Sequence, residues 1–592
     1  MIQCMACNMK KCRTGQKGCD ILGRYNLLDE PWIMVMTEDG ENRKVSLQEV
    51  FRYAHEYQSL AGDMVTQDFA VMRVLLAVLH TVFSRVNAAG DTYKYLTLDN
   101  RYVPQNEIEE DDADDYGEEL FETWETLWRT GRFPEIVATY LEAWRDRFYL
   151  FDETYPFYQV TKESIAPDKI NKAKGGIICG KNINRLISES ANPKKIALFS
   201  PKDGFGENKE VLSEDEVVRW LITYQSYSGL TDKLVFKKGD YKVAEGSPGW
   251  LFDIGGIYIN GNNLFQTLWL NCMLWHTEES YRIERQCPCW EYTGEYVISK
   301  YLNKKSITNL AALYTDWSRA VYISPSIDIT KGFSLQSVIL PKIEYENRFL
   351  EPLTMWISSK DEKDVFKPKE HNINESFWRS FGLLIPINKE ERYREPGIVR
   401  WIKRLREYVK YSCIQFSAVG MKKGGKKPLW MPIDEIYDEL QLSYEVIADA
   451  YWIPRINDAV EETKEVIELI YGDFISEVKD IRGFVENQKE NQKENQIEKE
   501  KQKMYFMVDA PFRRWLSQLT VDAGKEEALK EWREILKGIV ETGAKKIWQT
   551  AGHRDYIGIE SGKDSKTGSA KGIKNIATAY RWFRIRLYKK LQ

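Results

Sequence analysis

The stretch "AGDMVTQDFAVMRVLLAVLH", Ala61 to His80, begins with polar positions and ends as an apolar segment. Apolar side chains recur at helical spacing at Phe69, Met72, Leu75, Leu76, Leu79, Val82 and Phe83. Thr66 is expected to be the N-cap, and Asp68 falls in the first turn. The pattern predicts a buried helix entered through a polar turn.

Upstream of this helix, the pattern predicts a small sheet that leads into another helix. One strand is expected at 33–36 and a second at 44–45, with a turn at Gly40 between them. Ser46 is followed three residues later by Glu49, which is the spacing of a capping box. A helix is therefore expected to start directly after the second strand.

The middle of the chain mixes polar stretches with helical patterns. The acidic run 107–119 is typical of a solvated loop. Residues 158–199 form a long polar stretch without strong periodicity, which is uncommon unless a loop is functional or mobile. A helix is expected after Ser213, with Glu216 closing a capping box, and another at 262–274.

The C-terminal third combines a hairpin with amphipathic helices. Residues 413–433 read as a hairpin whose turn, Gly424–Gly425, is flanked by lysines. From Asp434 onward the pattern is almost wholly helical, and four antiparallel helices would form a bundle. The low-complexity insert 486–503 is too polar to pack and is either a disordered loop or a helix extension in solvent.

These patterns predict an α+β protein in three parts. A cysteine-rich leader covers residues 1–24, and a large mixed α/β N-terminal domain with flexible loops covers 25–433. An all-α four-helix bundle at 434–592 follows. At 592 residues the chain is long enough for more than one domain, since single cores seldom exceed about 250 to 300 residues.

Composition narrows the class of protein. No run reaches the ~20 apolar residues of a membrane span, and the N-terminus lacks the apolar core of a secretory signal. Nine cysteines at irregular spacing do not indicate a secreted disulfide framework, so we expect a cytoplasmic protein without a membrane partner. The net charge is −5, from 84 basic and 89 acidic residues, so any contact with nucleic acid must come from local patches.

The leader carries one candidate metal site, formed by Cys4, Cys7, Cys12 and Cys19. Four thiolates could complete a tetrahedral structural zinc site, although this spacing matches no zinc or iron–sulfur signature. The alternative is an unstructured or mistranslated leader. No other cofactor is required by the pattern.

Catalytic motifs do not stand out. The five histidines are dispersed, and His80 is expected to be a charge partner for a helix C-terminus rather than a metal ligand. The chain has no G-x-x-x-x-G-K-[ST], G-x-S-x-G or G-x-G-x-x-G motif. Nothing in the pattern requires an enzyme.

Local basic patches remain as candidate phosphate contacts, since Lys and Arg on loops or exposed helix faces make sequence-independent contacts of this kind. The alternative for each patch is an ordinary solvated surface. The patches are Lys172, Lys174, Lys181, Arg185, Lys194 and Lys195 in the long polar stretch, the turn 358–363, the lysine hairpin, and Arg581, Arg584, Arg586 and Lys589 in the last helix.

A series of motifs, from about Tyr25 to the end, resembles the CasA-type large subunit of Cascade, the type I-E CRISPR surveillance complex. In order, the motifs are "YNLLDEPWI", "AGDMVTQDFAVMRVLLAVLH", "NRLI" followed by "ALF", "GNNLFQTL", "LYTDWSRAV", "EPLTMW", and "PFRRWL" with "AYRWFRIRL". The leader cysteines and the low-complexity insert lie outside the resemblance.

The resemblance implies a non-catalytic subunit of a guide-RNA complex. Such a subunit recognises the protospacer-adjacent motif of double-stranded DNA through the minor groove, helps to open the duplex and recruits a helicase-nuclease. Guide pairing reads the sequence while the protein reads only the flank. The implied partners are the DNA target, the 5′ handle of the guide RNA, and the backbone, handle-binding and small subunits.

The resemblance also nominates site residues. The loop that reaches the handle and the motif matches Asn192, Lys194, Lys195 and Phe199, and a glycine loop falls at Gly204 and Gly206. The wedge that splits the first base pairs falls at Ser359 and Lys360, where the family commonly carries Asn and Gln. The family's minor-groove lysine has no clear match in this sequence, and Lys300, Lys304 and Lys305 are the nearby candidates. Independently of the resemblance, the basic pattern of the last helix predicts that Arg581, Arg584 and Arg586 contact the DNA backbone.

Two alternatives stay open at this point. One is a structural scaffold subunit without DNA recognition of its own, whose aromatic residues serve only protein interfaces. The other is a metal-dependent nuclease that uses the leader cysteines.

Overall fold

A computed structural model describes residues 23–183, 207–229, 234–237, 246, 248–341, 349–358, 365–387, 393–409, 413–424, 431–483, 490–560 and 572–592. The chain mixes helices and strands, as the α+β prediction requires. The Cys4, Cys7, Cys12 and Cys19 leader lies outside the described residues.

The strands are mostly short. They are β1 (Arg24–Asn26), β2 (Ile33–Thr37), β3 (Asn42–Val45), β4 (Tyr57–Leu60), β5 (Tyr149–Phe151), β6 (Gly176–Cys179), β7 (Gly256–Asn260), β8 (Arg319–Tyr322), β9 (Ser334–Ile339), β10 (Trp356–Ser358), β11 (Phe366–Pro368), β12 (Tyr393–Arg394), β13 (Cys413–Gly424), β14 (Met431–Ser443), β15 (Ile559–Glu560) and β16 (Ile573–Lys574). The three-stranded sheets have the orders β3-β2-β4, β6-β9-β8, β11-β10-β12 and β14-β13-β7, with antiparallel pairing throughout.

The two longest described helices lie in the C-terminal part of the chain. They are α1 (Leu47–Arg52), α2 (Val65–Phe83), α3 (Ala113–Thr130), α4 (Ile136–Ala143), α5 (Gly180–Ile183), α6 (Glu214–Tyr227), α7 (Leu264–Asn271), α8 (Gly294–Leu302), α9 (Leu310–Tyr314), α10 (Phe381–Leu384), α11 (Gly397–Arg404), α12 (Tyr444–Ala448), α13 (Trp452–Glu465), α14 (Gly472–Ile481), α15 (Glu490–Ser517), α16 (Lys525–Gln549), α17 (His553–Ile557) and α18 (Ile576–Lys590). A π-helical segment, Val466–Tyr471, joins α13 to α14.

Helix α2 is the centre of the N-terminal core. It packs against α4, α6, α7, α9 and the β13–β14 hairpin. It is long and apolar enough to cross a membrane, but 89% of its most apolar window is buried inside the protein. The predicted buried helix is therefore confirmed as a core helix of the folded chain.

The N-terminal cap of α2 differs from the prediction. The helix begins at Val65 after an extended Met64, so Thr66 lies inside the first turn and is not the N-cap. Glu435 of β14 instead accepts hydrogen bonds from the Thr66 N–H and hydroxyl. A cap supplied by a distant strand leaves no local sequence signal.

The local capping predictions hold elsewhere. The Ser46 hydroxyl accepts from the Glu49 N–H at 3.2 Å, where α1 follows β3. The Ser213 N–H donates to the Glu216 carboxylate at 2.7 Å at the start of α6. Both are short-range pairs, which is why the sequence alone reveals them.

The β13–β14 hairpin forms as predicted, but its second strand is longer. Strand β14 continues to Ser443, so the prediction of helix from Asp434 is wrong up to that residue. Ile436, Leu440 and Leu442 are buried at even spacing in this segment. This period of two is the strand pattern.

The C-terminal helices pack side by side. Contacts join α13 to α16, α14 to α15 and α18, and α16 to α15 and α18. Phe512 of α15 meets Trp532 of α16 edge-on, with ring centroids 4.9 Å apart, and Phe474 of α14 lies 5.1 Å from Phe583 of α18. The described part of the low-complexity insert, from Glu490, lies in α15 and is thus the helix extension.

Candidate nucleic-acid interface

The residues on either side of the first nominated segment are held at one place in the fold. Asn192, Lys194, Lys195, Phe199, Gly204 and Gly206 lie outside the described residues, but both flanks of 184–206 are described. The Gly180 N–H donates to the Phe333 carbonyl at 3.0 Å, and the Phe333 N–H donates to the Glu210 carbonyl at 2.7 Å. The two ends are therefore anchored on the same residue at the start of β9.

Close approach at this anchor requires glycine. A Cβ atom at position 180 would lie 2.5 Å from the Glu210 carbonyl oxygen, so a larger residue would push the two ends apart. Lys181 also pairs with Glu210 at 2.9 Å across the same gap. Lys181, one of the candidate phosphate contacts of this stretch, is therefore part of the anchor.

The second nominated segment connects β10 to β11. Ser359 and Lys360 lie outside the described residues, whereas the two strands pair from Trp356–Pro368 to Ser358–Phe366. The Phe349 ring packs edge-on against Trp356 and Phe366, with centroids 4.9 and 5.3 Å away. The base of this hairpin is thus held by an aromatic cluster.

Charged groups brace the third strand of the same sheet. The Arg394 guanidinium lies 3.7 Å from the centroid of the Phe349 ring. Arg394 and Arg400 both form ion pairs with Glu278. Burial alone would raise the pKa of the Glu278 carboxyl, but the two guanidinium groups lower it below its usual value. These contacts fix β12, the third strand of the sheet that carries the hairpin.

The C-terminal end of α8 presents the three lysines that are closest to the family's minor-groove lysine. Lys304 and Lys305 are exposed, and Lys304 has a left-handed φ of 53°. Lys300 is half-buried: burial lowers the pKa of its ammonium group, while the carboxylate of Asp316 acts in the opposite direction. Lys304 and Lys305 are thus accessible to a phosphate. The ammonium group of Lys300 instead interacts with the buried Asp316.

The three arginines of α18 are not equivalent. Arg586 pairs with Asp473 at 2.7 Å and Glu477 at 3.2 Å, and Arg584 pairs with Glu541 at 2.8 Å. Arg581 is exposed and has no ion-pair partner within the described residues. Arg581 is therefore the arginine of this helix that is free to meet a DNA backbone.

The lysine hairpin is less basic than its sequence indicates. Lys423 of β13 pairs with Asp253 at 2.6 Å and with Glu370 at 2.7 Å, and its side chain is only 11% exposed. Lys426 and Lys427 lie outside the described residues. Lys423 thus joins the hairpin to the neighbouring segments instead of pointing into solvent.

His80 and His276 are buried in the core, as are the thiols of Cys272, Cys287 and Cys289, whereas His553 is exposed. Burial lowers the pKa of His80 to about 3 and that of both His276 and His371 to about 4, so all three are neutral at pH 7. The predicted charge role of His80 at the helix end is therefore wrong. In the ranges that the structure describes, no group of three His, Cys, Asp or Glu side chains is placed to hold a metal ion.

A cavity at the junction with the C-terminal helices was not predicted. It has a volume of about 680 Å³ and lies between the segment after β11 and helix α13. Lys369, Arg379 and Lys464 line it together with Glu375 and Glu461. The sequence holds one weak signal, the two lysines of "FKPKE", of which Lys367 lies in the short strand Phe366–Pro368 and Lys369 directly follows it.

Comparisons with known proteins agree with this architecture. The family model described as CRISPR-associated protein Cse1 matches residues 26–542. A CRISPR-associated protein CasA/Cse1 of Thermus thermophilus is 25% identical over 374 residues, which cover 62% of this chain and 61% of that protein. The alignment thus spans less than two thirds of the relative's length.

Solved structures share the fold over nearly the whole chain. Cse1 of Thermobifida fusca superposes with a TM-score of 0.71 at 21% identity, covering 96% of this chain and 98% of that one. A chain of a CRISPR RNA-guided surveillance complex superposes with a TM-score of 0.63 at 14% identity, covering 95% of this chain and 99% of that one.

Proposed function

This chain belongs to the CRISPR-associated Cse1 family, the CasA-type large subunits of type I-E Cascade, and we propose that it recognises the protospacer-adjacent motif within such a complex. In this role it reads the few base pairs beside the DNA target, helps to open the duplex for guide pairing, and recruits the helicase-nuclease. It does not cut DNA itself. Its partners are the DNA target, the 5′ handle of the guide RNA, and the backbone, handle-binding and small subunits.

One observation carries the proposal. The two segments nominated for motif contact, 184–206 and 359–364, both start and end on rigid elements. Phe333 holds both flanks of the first segment, and the aromatic cluster of Phe349, Trp356 and Phe366 holds the second. Binding residues are typically carried by loops on a rigid scaffold, since the scaffold limits the entropy lost on binding.

The composition of these segments fits minor-groove contact. Lys194, Lys195 and Lys360 can interact with phosphates or base edges, and the glycines at 204 and 206 allow close backbone approach. The minor groove shows a degenerate pattern, so a few small or basic residues suffice for a tolerant motif. Lys304, exposed at the end of α8, is our choice for the family's minor-groove lysine.

The C-terminal helices complete the proposal as a four-helix bundle that contacts the DNA backbone through Arg581. Arg584 and Arg586 form ion pairs with carboxylates of neighbouring helices, so their role is to stabilise the bundle. No cofactor is needed for binding, and a structural zinc at the four leader cysteines stays a prediction. The complex is expected to act in the cytoplasm, without a membrane.

The decisive experiment is duplex binding by the guide-RNA complex reconstituted with and without this chain. The targets carry one protospacer and differ only in the few base pairs beside it. We expect discrimination between flanks only when the chain is present. Binding that ignores both the chain and the flank would contradict the proposal and favour a scaffold role.

A further inference from the structure

The cavity between β11 and α13 is lined by the segment that follows β11 and by helix α13. Lys369 follows β11 directly, Arg379 precedes α10, and Lys464 lies in the last turn of α13. The segment after β11 is fixed, because the Lys369 N–H donates to the Met355 carbonyl at 2.8 Å. His371 further along bonds the Gly256 carbonyl at 2.9 Å. The backbone that carries Lys369 is therefore fixed on both sides.

The charge of Lys369 has no direct partner. Within the described residues its ammonium group has neither an ion-pair partner nor a hydrogen-bond acceptor. Burial lowers the pKa of Lys369; the charge of Glu375 opposes this shift, and the charges of Lys464 and Arg379 add to it. A half-buried ammonium group close to two other cations is costly unless an anion joins it.

The two acids of the cavity do not supply that anion. Glu461 pairs with Lys464 at 2.7 Å, and Glu375 accepts a hydrogen bond from the Asn372 amide at 3.1 Å. Glu375 and Glu461 are thus engaged with other groups.

Arg379 also has spare donor capacity. Its guanidinium stacks on Tyr505 at 3.6 Å from the ring centroid, reaches Glu468 only at 3.8 Å, and donates one long bond of 3.4 Å to the Asn374 carbonyl. Its Nε–H is buried without a hydrogen-bond partner. A guanidinium held flat in this way is suited to phosphate oxygens.

We propose that this cavity binds a phosphodiester group of the target DNA, held between Lys369 and Arg379. The proposal rests on the function proposed above and adds a contact site to it. The cavity lies at the base of the β10–β11 hairpin, whose connection carries the nominated wedge residues Ser359 and Lys360. We therefore expect the DNA strand that meets the wedge segment to place one of its phosphates in this cavity.

The chain contains a matched control for this site. Lys367 lies two residues before Lys369 and is exposed on β11, outside the cavity lining. The variants Lys369→Gln and Lys367→Gln remove the same charge from nearly the same place. Lys369→Arg retains the charge, and Lys369→Gln is expected to fold normally because it removes a cation that has no direct partner.

The experiment measures duplex affinity of the reconstituted guide-RNA complex over a range of salt concentrations. For Lys369→Gln we expect a several-fold loss at low salt, equal for all flanking motifs, and a salt slope reduced by about 1. Lys367→Gln should stay close to the parent, and Lys369→Arg should restore most of the affinity.

The outcomes separate this site from the function itself. If the parent complex discriminates flanks but the two glutamine variants bind alike, the phosphate site is wrong and the function stands. If the parent complex shows no flank-dependent binding, the proposed function fails first. Inorganic phosphate is titrated in parallel: thermal stabilisation of the parent by phosphate, with duplex affinity unchanged in Lys369→Gln, assigns the cavity to a free anion and overturns the DNA contact. Loss of complex assembly in Lys369→Gln would instead assign the cavity to an acidic protein partner.

Discussion

Glu435 and Thr66 are 369 residues apart, and the Glu435 carboxylate accepts both the N–H of Thr66 at 3.1 Å and its hydroxyl at 3.2 Å. A strand of the long hairpin thereby caps the central helix α2. Burial raises the pKa of Glu435, and the bonds from Thr66 oppose that shift. The start of the apolar helix is thus set by tertiary structure.

Removing this cap should destabilise the protein. Glu435→Ala leaves an N–H at the start of α2 without its acceptor, and we expect a loss of about 1–2 kcal/mol in the free energy of unfolding. Urea denaturation measures the change. Glu445→Ala, at an exposed position of α12, serves as the control and should stay within about 0.5 kcal/mol of the parent. Equal losses in both variants would exclude a capping role.

Asp68, in the first turn of α2, should make stability depend on pH. Burial raises the pKa of its carboxyl from 3.8 to about 7, with Asp63 and Glu435 adding to the rise, and with the Gly62 N–H and Arg219 opposing it. Between these two values the folded state holds a proton that the unfolded state has released. The free energy of unfolding should therefore fall as pH rises from about 4 to about 7.

The variant Asp68→Asn tests this dependence. Its amide oxygen can still accept the Gly62 N–H, which donates to Asp68 at 2.8 Å, but it carries no titrating proton. Urea midpoints at pH 5, 6, 7 and 8 should fall less in this variant than in the parent. The exposed Asp91→Asn is the control and should follow the parent curve. Parallel curves for Asp68→Asn and the parent would contradict the raised pKa.

The buried pair of Arg73 and Glu351 should be essential for folding. The two side chains form two hydrogen bonds of 3.0 and 2.7 Å, and both are almost fully buried. Glu351→Gln leaves the guanidinium without its counter-charge, and we expect a loss of about 3–5 kcal/mol. Asp458→Asn, in a half-exposed pair with Arg455, should cost at most about 1 kcal/mol by the same measurement. Similar costs for the two variants would argue against a structural role for the buried pair.

Arg581→Ala should weaken duplex binding by the reconstituted complex equally for every flanking motif, because a backbone contact carries no sequence information. The salt slope should shrink by about 1. Arg586→Ala is the matched control on the same helix: its guanidinium is held by Asp473 and Glu477, so affinity should change little. An effect of Arg581→Ala that is confined to one motif would show base reading instead.

Lys194→Ala and Lys360→Ala should weaken binding to the preferred motif without lowering the melting temperature. Both residues stand in the segments nominated for motif contact. Lys94→Ala removes an exposed lysine that pairs with Glu119 and should leave affinity unchanged. Unchanged affinity in both test variants would remove these lysines from the site.

The sequence predicts short-range features well in this protein. Ser46 with Glu49 and Ser213 with Glu216 are local pairs, and the helical spacing around Leu75 identifies the core helix directly. These elements are determined by contacts between residues that are close in sequence. Their positions therefore follow from the order of the residues alone.

Features that depend on distant partners could not be predicted. Arg73 stands inside an apolar helix, and nothing nearby indicates Glu351 as its partner. Strand β14 carries charged residues like those of the C-terminal helices, and its alternation of buried positions becomes evident only once it pairs with β13. For the site, the family resemblance nominates segments, whereas the cavity at Lys369 appears only when β11 and α13 come together.

The double anchor at Phe333 has an evolutionary consequence. Since Gly180 and Glu210 are both held by the Phe333 backbone, a change of length or sequence within 184–206 leaves these two anchoring hydrogen bonds in place. Each doubling of a loop's length costs only about 0.6 kcal/mol in closure entropy. Under the proposed function, this segment can thus diverge to suit another flanking motif while the rest of the protein stays the same.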